Sequence, residues 1–278
     1  MNYSGQIKGK EKDLELILQN TEPDQKVIST VLEIYSAIQG AKEKYFDSSN
    51  PGVYAKRHGM LVYTNYDPKT SELKINGWQS KPLEGYYIHN PQGKEKIKEL
   101  LHQDGAIEVN AYTGKIESYH RHIHVDPEEV ALERKVIRHG EKISSEKMGF
   151  DEKTRRKLCG DEDYEGVGTK HQTALAATAK DPSIYALVLS EETGAITVMK
   201  DYKILFSTIP SEIYPAYLQY LASNRGNPTE NISSVKGADV TYHTVHEARE
   251  RPRISAEEAL RMQIAILHEL KTTNGHYI

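Results

Sequence analysis

The chain has one cysteine, no long apolar run and no excess of basic residues, and each shortage excludes a class of protein. Cys159 has no second thiol in the chain, which excludes an intrachain disulfide and a cysteine-based zinc cluster. No apolar stretch approaches the length that spans a bilayer, and residues 1–20 lack the apolar core of a signal peptide. The net charge of -4 is unlike that of proteins that coat nucleic acid. We therefore expect a cytoplasmic protein without membrane contact.

The pattern that remains alternates helices with short strands and predicts an α/β fold, with a mixed central β-sheet flanked by helices. Apolar residues recur every three or four positions over 11–45, which predicts helix, and Val27, Val31 and Ile38 belong to the apolar stripe. The strand signal begins after Gly59. Residues 184–207 predict a buried strand, a turn at 192–194 and two more short strands.

Changes in composition divide the chain into three parts. We predict an N-terminal helical segment over 1–50, an α/β domain over 51–210 and a C-terminal helical extension over 211–278. Within the domain, residues 127–165 are rich in charge and poor in apolar side chains, which predicts a solvated helical insertion. The extension contains a further predicted helix over about 255–270.

The stretch GVGTKHQTALAATAK, residues 166–180, predicts a glycine turn followed by a helix, with Lys170 and His171 at the helix N-terminus. The first N–H groups of a helix have no partner within it and the helix dipole is positive there, so this segment suits a phosphate group. A structural alternative is a capping box formed by Thr169 and Gln172, which have the required spacing. The glycine spacing of a P-loop is missing.

Two further segments place carboxylates at the ends of predicted strands. Asp104-Gly105-Ala106 stands between a helix and a strand, and residues 190–194, Ser-Glu-Glu-Thr-Gly, follow the buried strand. Carboxylates at the edge of a sheet suit metal or hydroxyl chemistry. Each segment taken alone is also explained by an ordinary turn.

Taken in chain order, the stretches DGA, GTKHQTALA and LVLSEETGAITV resemble the motifs of the diadenylate cyclase domain family. That family carries a DGA motif, a GTRHRxA motif and, in many members, a VSEETGxIS segment. The resemblance covers roughly residues 55–207 and implies a diadenylate cyclase-like sheet with extra N- and C-terminal helices. It also implies that two ATP molecules are joined into cyclic di-AMP, with release of two pyrophosphates, at a site shared between two subunits.

The resemblance assigns roles to residues matched by motif. The implied catalytic residues are the acidic and basic side chains of the three motifs: Asp104, Lys170, His171 and Glu192. The implied nucleotide-binding residues are Gly105, Ala106, Ile123, Gly168, Thr169, Gln172, Ser190 and Glu191. Ile123 falls where the family places an aliphatic residue against adenine, and Asp104 and Glu192 would hold Mg²⁺ or Mn²⁺ on the phosphates. The implied partners are ATP and a second copy of the chain, in at least a face-to-face dimer.

One motif departs from the family pattern, since Arg-His-Arg is replaced by Lys170-His171-Gln172. Lysine keeps the charge but loses the planar fork of arginine, and glutamine loses the charge. Loss of a charge-assisted hydrogen bond costs about 1.5–3 kcal/mol. Two alternatives therefore stay open: a catalytically weak or inactive sensor of ATP or cyclic di-AMP, and a related cyclase with a different product. The missing positive charge could be supplied by Arg155, Arg156 and Lys157. The alternative interpretation is that these three residues form a solvated charged face.

Three histidines in HRHIHVD leave another class of function open. His120, His122 and His124 alternate, which would place them on one face of a strand, and such a row can bind zinc. A metal-dependent hydrolase is thus a further alternative. The structural explanation of the same three histidines is an ordinary exposed strand face.

We interpret the 127–165 insertion as a lid or an oligomer contact, because it lies just before the phosphate motif. The terminal helices carry no DNA-binding signature, and we expect no DNA binding.

Overall fold

The computed structural model describes residues 3–44, 58–65, 75–76, 81–160 and 166–213. They belong to two compact units. The first comprises the chain up to Val125 together with Gly168–Thr208, and the second comprises Asp126–Val167 and the chain from Ile209 onward. The segment interpreted as an insertion thus lies in the second unit. Among the helices described, none is long and apolar enough to cross a membrane.

The helical stretch predicted over 11–45 is two helices, α1 at Tyr3–Thr21 and α2 at Gln25–Lys44. Pro23 lies between them. Proline has no N–H to donate and clashes with the preceding turn, so it separates the two helices. The predicted apolar stripe is confirmed by the burial of its members Val27, Val31 and Ile38.

Eight strands in the described part of the chain form one sheet. The six longer strands are β1 (Met60–Asn65), β4 (Ala106–Asn110), β5 (Ile116–Ile123), β6 (Ala186–Leu189), β7 (Ile196–Lys200) and β8 (Lys203–Ser207). They lie in the order β5-β4-β1-β6-β7-β8, and two-residue strands β2 (Ile75–Asn76) and β3 (Lys81–Pro82) pair with β5. Only the β1–β4 pair among these is parallel, so the predicted mixed sheet and α/β class are confirmed.

Helices cover the middle of this sheet. α3 (Pro91–Glu99) leads into β4, and α6 (Thr169–Lys180) leads into β6. Both α2 and α6 contact β1, β6 and β7. Every residue of β6 is buried, as expected for a strand with both faces covered. The buried strand and the two short strands predicted over 184–207 are confirmed as β6, β7 and β8.

The second unit contains two short, capped helices, α4 at Pro127–Glu133 and α5 at Glu152–Cys159. The carboxylate of Asp126 accepts an N–H at the start of α4, Asp151 does the same for α5, and Gly160 ends α5 in the left-handed conformation. The predicted helical character is confirmed. The segment is not merely a solvated face, because it buries the apolar side chains of Val130, Ala131, Ile137, Met148 and Phe150.

A buried ion pair joins α5 to the short 3-10 turn Pro210–Glu212 within the second unit. Arg155 Nη1 donates to Glu212 Oε2 at 3.0 Å, and both side chains are fully buried. This contradicts the hypothesis that Arg155 is a cation for phosphate, because its guanidinium is enclosed and already paired. Arg156 pairs with Glu152 on the same helix. The predicted C-terminal helices lie outside the described residues, which end at Ile213.

Candidate functional site

Two of the three motif segments meet at one edge of the sheet because of the strand directions. Leu61 of β1 pairs with Ala106 of β4 on one side and with Val188 of β6 on the other. β4 is parallel to β1 and β6 is antiparallel, so Asp104 before β4 and Ser190 after β6 emerge at the same edge. At a strand spacing of about 4.8 Å, their backbones are roughly 10 Å apart. We call this edge, at the starts of β1 and β4 and the end of β6, the motif edge.

The third segment, the start of α6, joins the motif edge through two contacts. Lys170 forms an ion pair with Glu191. A Cβ atom at Gly168 would lie 2.7 Å from Oε1 of Glu192, so that carboxylate lies directly against the backbone at the helix N-terminus. A negative group there is stabilised by the helix dipole. The fold thus brings together three segments that are far apart in the sequence.

The predicted capping box at the start of α6 is wrong. Thr169 is the first residue of the helix, and the capping position belongs to Gly168, which has no side chain to donate or accept. No side-chain hydrogen bond caps this helix. Thr169 and Gln172 therefore do not form a capping box, and the Glu192 carboxylate lies against the capping position at Gly168.

Backbone geometry holds the Asp104 turn in place. Gly105 has a φ of +83°, and a Cβ atom there would lie 2.9 Å from the carbonyl carbon of His120. His120 itself has a φ of 57°, and its Nδ1 lies 2.8 Å from the carbonyl oxygen of Asp104. The register of β4 and β5 shifts by one residue next to this point, as at a β-bulge. Asp104 is exposed at the end of this rigid turn.

We expect Gly105→Ala to destabilise the protein by about 3 kcal/mol. The left-handed conformation costs a residue with a Cβ about 1–2 kcal/mol, and overpacking against a fixed backbone typically costs about 1–3 kcal/mol. Urea unfolding followed by circular dichroism measures this loss. Gly140→Ala is the matched control, because Gly140 also has a positive φ but no atom lies within 4 Å of its Cβ position. Equal losses in the two variants would show that the close approach to His120 does not matter.

The Ser-Glu-Glu-Thr-Gly segment forms a tight, internally bonded turn after β6. The Gly194 N–H donates to the Ser190 carbonyl at 3.0 Å, and the Thr193 N–H donates to Ser190 Oγ at 3.1 Å. Ser190 Oγ in turn donates to Glu192 Oε2 at 2.8 Å. Ser190 is buried, so this bond orients the Glu192 carboxylate from beneath.

The four residues at the start of α6 differ in exposure. Thr169 is exposed, and Lys170 and Gln172 are half-buried, so a ligand can reach all three. His171 is 1% exposed and lies beneath the helix. A direct contact between its imidazole and a ligand would first require the side chain to be uncovered.

Ile123 lies beside α6. It is half-buried and packs on a buried cluster formed by Ala177 of α6 and Ile184. The proposed adenine-side residue is therefore held by the same helix whose N-terminus reaches the motif edge.

A buried polar network that was not predicted from the sequence lies next to this turn. Glu108, in β4, is fully buried, accepts hydrogen bonds from Ser118 Oγ at 2.9 Å and from Arg121 Nε at 3.1 Å, and forms an ion pair with Arg121. Tyr63 is its neighbour on β1, and burial together with the Glu108 charge raises the pKa of the Tyr63 hydroxyl. The available signal was a glutamate in the middle of an otherwise apolar strand. The network ties β1, β4 and β5 together close to Asp104.

The histidine row does not form the zinc site that the sequence left open. Within the described ranges, no group of three or more His, Cys, Asp or Glu side chains could hold a metal ion. The positive φ of His120 interrupts the regular alternation on which the interpretation of His120, His122 and His124 rested. A site of two carboxylates completed by a ligand's phosphates, as expected for Asp104 and Glu192, stays a prediction.

Comparison with known proteins identifies no family. No family model matches the sequence, and no curated protein matches it. A solved structure described as a hypothetical membrane-spanning protein from Bacillus cereus is similar at 14% identity, over 72% of this chain and 89% of its own chain, with a TM-score of 0.34. A similarity at this TM-score carries no argument about fold or function.

Proposed function

We propose that the protein is a diadenylate cyclase, which condenses two ATP molecules into cyclic di-AMP and releases two pyrophosphates. The observation that supports this most strongly is the meeting of the three motif segments at the motif edge. The segments 104–106, 168–172 and 190–192 are separated by long stretches of chain, yet strand pairing and the contacts of Gly168 and Lys170 bring them together. Unrelated turn residues would have no reason to meet in this way.

In the proposed nucleotide site, the residues of the three segments contact different parts of ATP. Thr169, Lys170 and the backbone at the start of α6 bind the phosphates, because a helix N-terminus with a cation beside it favours anions. Gly105 lets the ribose approach the backbone closely. Asp104 lies at the reacting 3′-hydroxyl, and Ile123 contacts the base.

Asp104 and Glu192 are the proposed ligands of Mg²⁺ or Mn²⁺. The donor set fits, because such ions are usually held by one or two carboxylates and by phosphates of the substrate. The ion supplies positive charge that offsets the phosphates and helps pyrophosphate to leave. Ser190 fixes the orientation of Glu192 through its hydrogen bond of 2.8 Å.

The proposed reaction needs two copies of the chain. In each of two equivalent steps, the 3′-oxygen of one ATP forms a bond to the α-phosphorus of the other, the bond from that phosphorus to pyrophosphate breaks, and the hydroxyl proton passes to Asp104. Since each site holds one ATP, the second ATP must come from a facing subunit. Catalysis at such a site rests on positioning and charge stabilisation rather than on an unusual nucleophile.

The test is to incubate the full chain with ATP and Mg²⁺ or Mn²⁺ and to analyse the products by mass spectrometry. The proposal expects cyclic di-AMP and pyrophosphate in a ratio of one to two. Binding of ATP without any product would favour the sensor. Turnover of another nucleotide in preference to ATP would favour a related cyclase with a different product.

A further inference from the structure

The ammonium group of Lys170, which the proposed site needs to bind phosphate, is engaged in an ion pair with Glu191. Lys170 is the charged residue that stands where the related motif has its first arginine. Its ammonium is bound to the Glu191 carboxylate, and the two side chains are 27% and 42% exposed. A pair of this exposure is weak enough to open and strong enough to compete with a ligand.

Gly59 fixes the position of Glu191. It lies just before β1, is buried, and has no Cβ. The Cγ atom of Glu191 occupies the place into which a Cβ at Gly59 would project. The side chain of Glu191 therefore lies against the backbone just before β1, and its carboxylate pairs with Lys170 at the start of α6.

We propose that Glu191 sets the affinity of the site for triphosphate by competing for the Lys170 ammonium. Phosphate oxygens and the Glu191 carboxylate are both anionic acceptors for the same donor, and each repels the other. ATP therefore binds when the pair opens. The inference rests on the proposed function only in taking a nucleoside triphosphate as the ligand.

The experiment measures the Kd of ATP and of inorganic triphosphate by calorimetry in the presence of EDTA, where no metal binds and no turnover occurs. Glu191→Gln keeps the shape of the side chain and removes its charge. We expect it to lower both Kd values by roughly fivefold, the factor by which a partly exposed ion pair can compete. Glu33→Gln is the matched control, since it removes the similarly exposed Lys94–Glu33 pair between α3 and α2, and we expect no change.

A double-mutant cycle decides whether Lys170 is the cause. In a Lys170→Met background, Glu191→Gln should no longer produce the full gain in affinity. An unchanged or higher Kd in Glu191→Gln, or an equal gain in the Lys170→Met background, would overturn the inference, as would the absence of any triphosphate binding. If ATP binds but no cyclic di-AMP forms, the proposed function fails while the shift in Kd still decides this inference.

Discussion

Asp104→Asn should remove cyclic di-AMP formation while leaving the fold nearly unchanged. The substitution keeps the size of the side chain but removes the charge that accepts the hydroxyl proton and holds the metal. General-base catalysis typically contributes a factor of about 10²–10⁴, so we expect a loss of that order in the rate. Because Asp104 is exposed and its carbonyl oxygen, not its carboxylate, contacts His120, the turn itself should persist.

Glu84→Gln is the matched control for this prediction, because it neutralises an exposed carboxylate on the segment after β3. Rates of cyclic di-AMP formation for both variants and the wild type can be followed by mass spectrometry at saturating ATP. Glu84→Gln should match the wild type. If Asp104→Asn also matched it, Asp104 would have no part in the reaction, and the assignment of the DGA segment would be wrong.

Glu212→Ala should cost about 3–5 kcal/mol of stability, the largest structural effect we expect from one substitution. It removes the buried partner of Arg155 and leaves an enclosed guanidinium without its carboxylate, which is typical of the most destabilising changes in proteins. Urea unfolding of the full chain, followed by circular dichroism, measures the loss. Because the chain has two compact units, the transition of the second unit can separate from that of the first.

Two further variants test the cause of this effect. Glu152→Ala removes the partly exposed partner of Arg156 on α5 and should cost less than about 1 kcal/mol. Arg155→Met combined with Glu212→Leu removes both buried charges and should recover much of the stability, since apolar replacements of a buried pair are often neutral. If Glu212→Ala lowered the free energy of unfolding by no more than Glu152→Ala does, the Arg155–Glu212 pair would have to be open to water.

Local patterning predicted most of the secondary structure. The apolar stripe of α2 and the buried strand β6 were visible because burial leaves a periodic or continuous apolar signal. The break at Pro23 could have been predicted from its missing N–H and was not. The strand order could not be read from the sequence, since the parallel pairing of β1 with β4 depends on contacts between residues more than 40 positions apart, such as Leu61 and Ala106.

The candidate site was predicted as three motifs, but its geometry was not. Spacing suggested a capping box at Thr169, whereas the contact between Gly168 and Glu192 comes from a segment 24 residues further along and has no local signal. The close contacts of Gly59 with Glu191 and of His120 with Gly105 were not predicted for the same reason. A charged residue in the interior of a strand, as at Glu108, is the kind of departure that sequence reading can detect.

If segments 104–106, 168–172 and 190–194 form one nucleotide site, bound ATP should protect the amides of all three, and hydrogen exchange measures this protection. Amide exchange of the full chain would be measured by mass spectrometry with and without ATP and Mg²⁺. We expect slower exchange in all three segments together, and no change at the turn between β7 and β8, which lies at the other end of β7 from the motif edge. Protection of only one segment, or of none while ATP is bound, would contradict it.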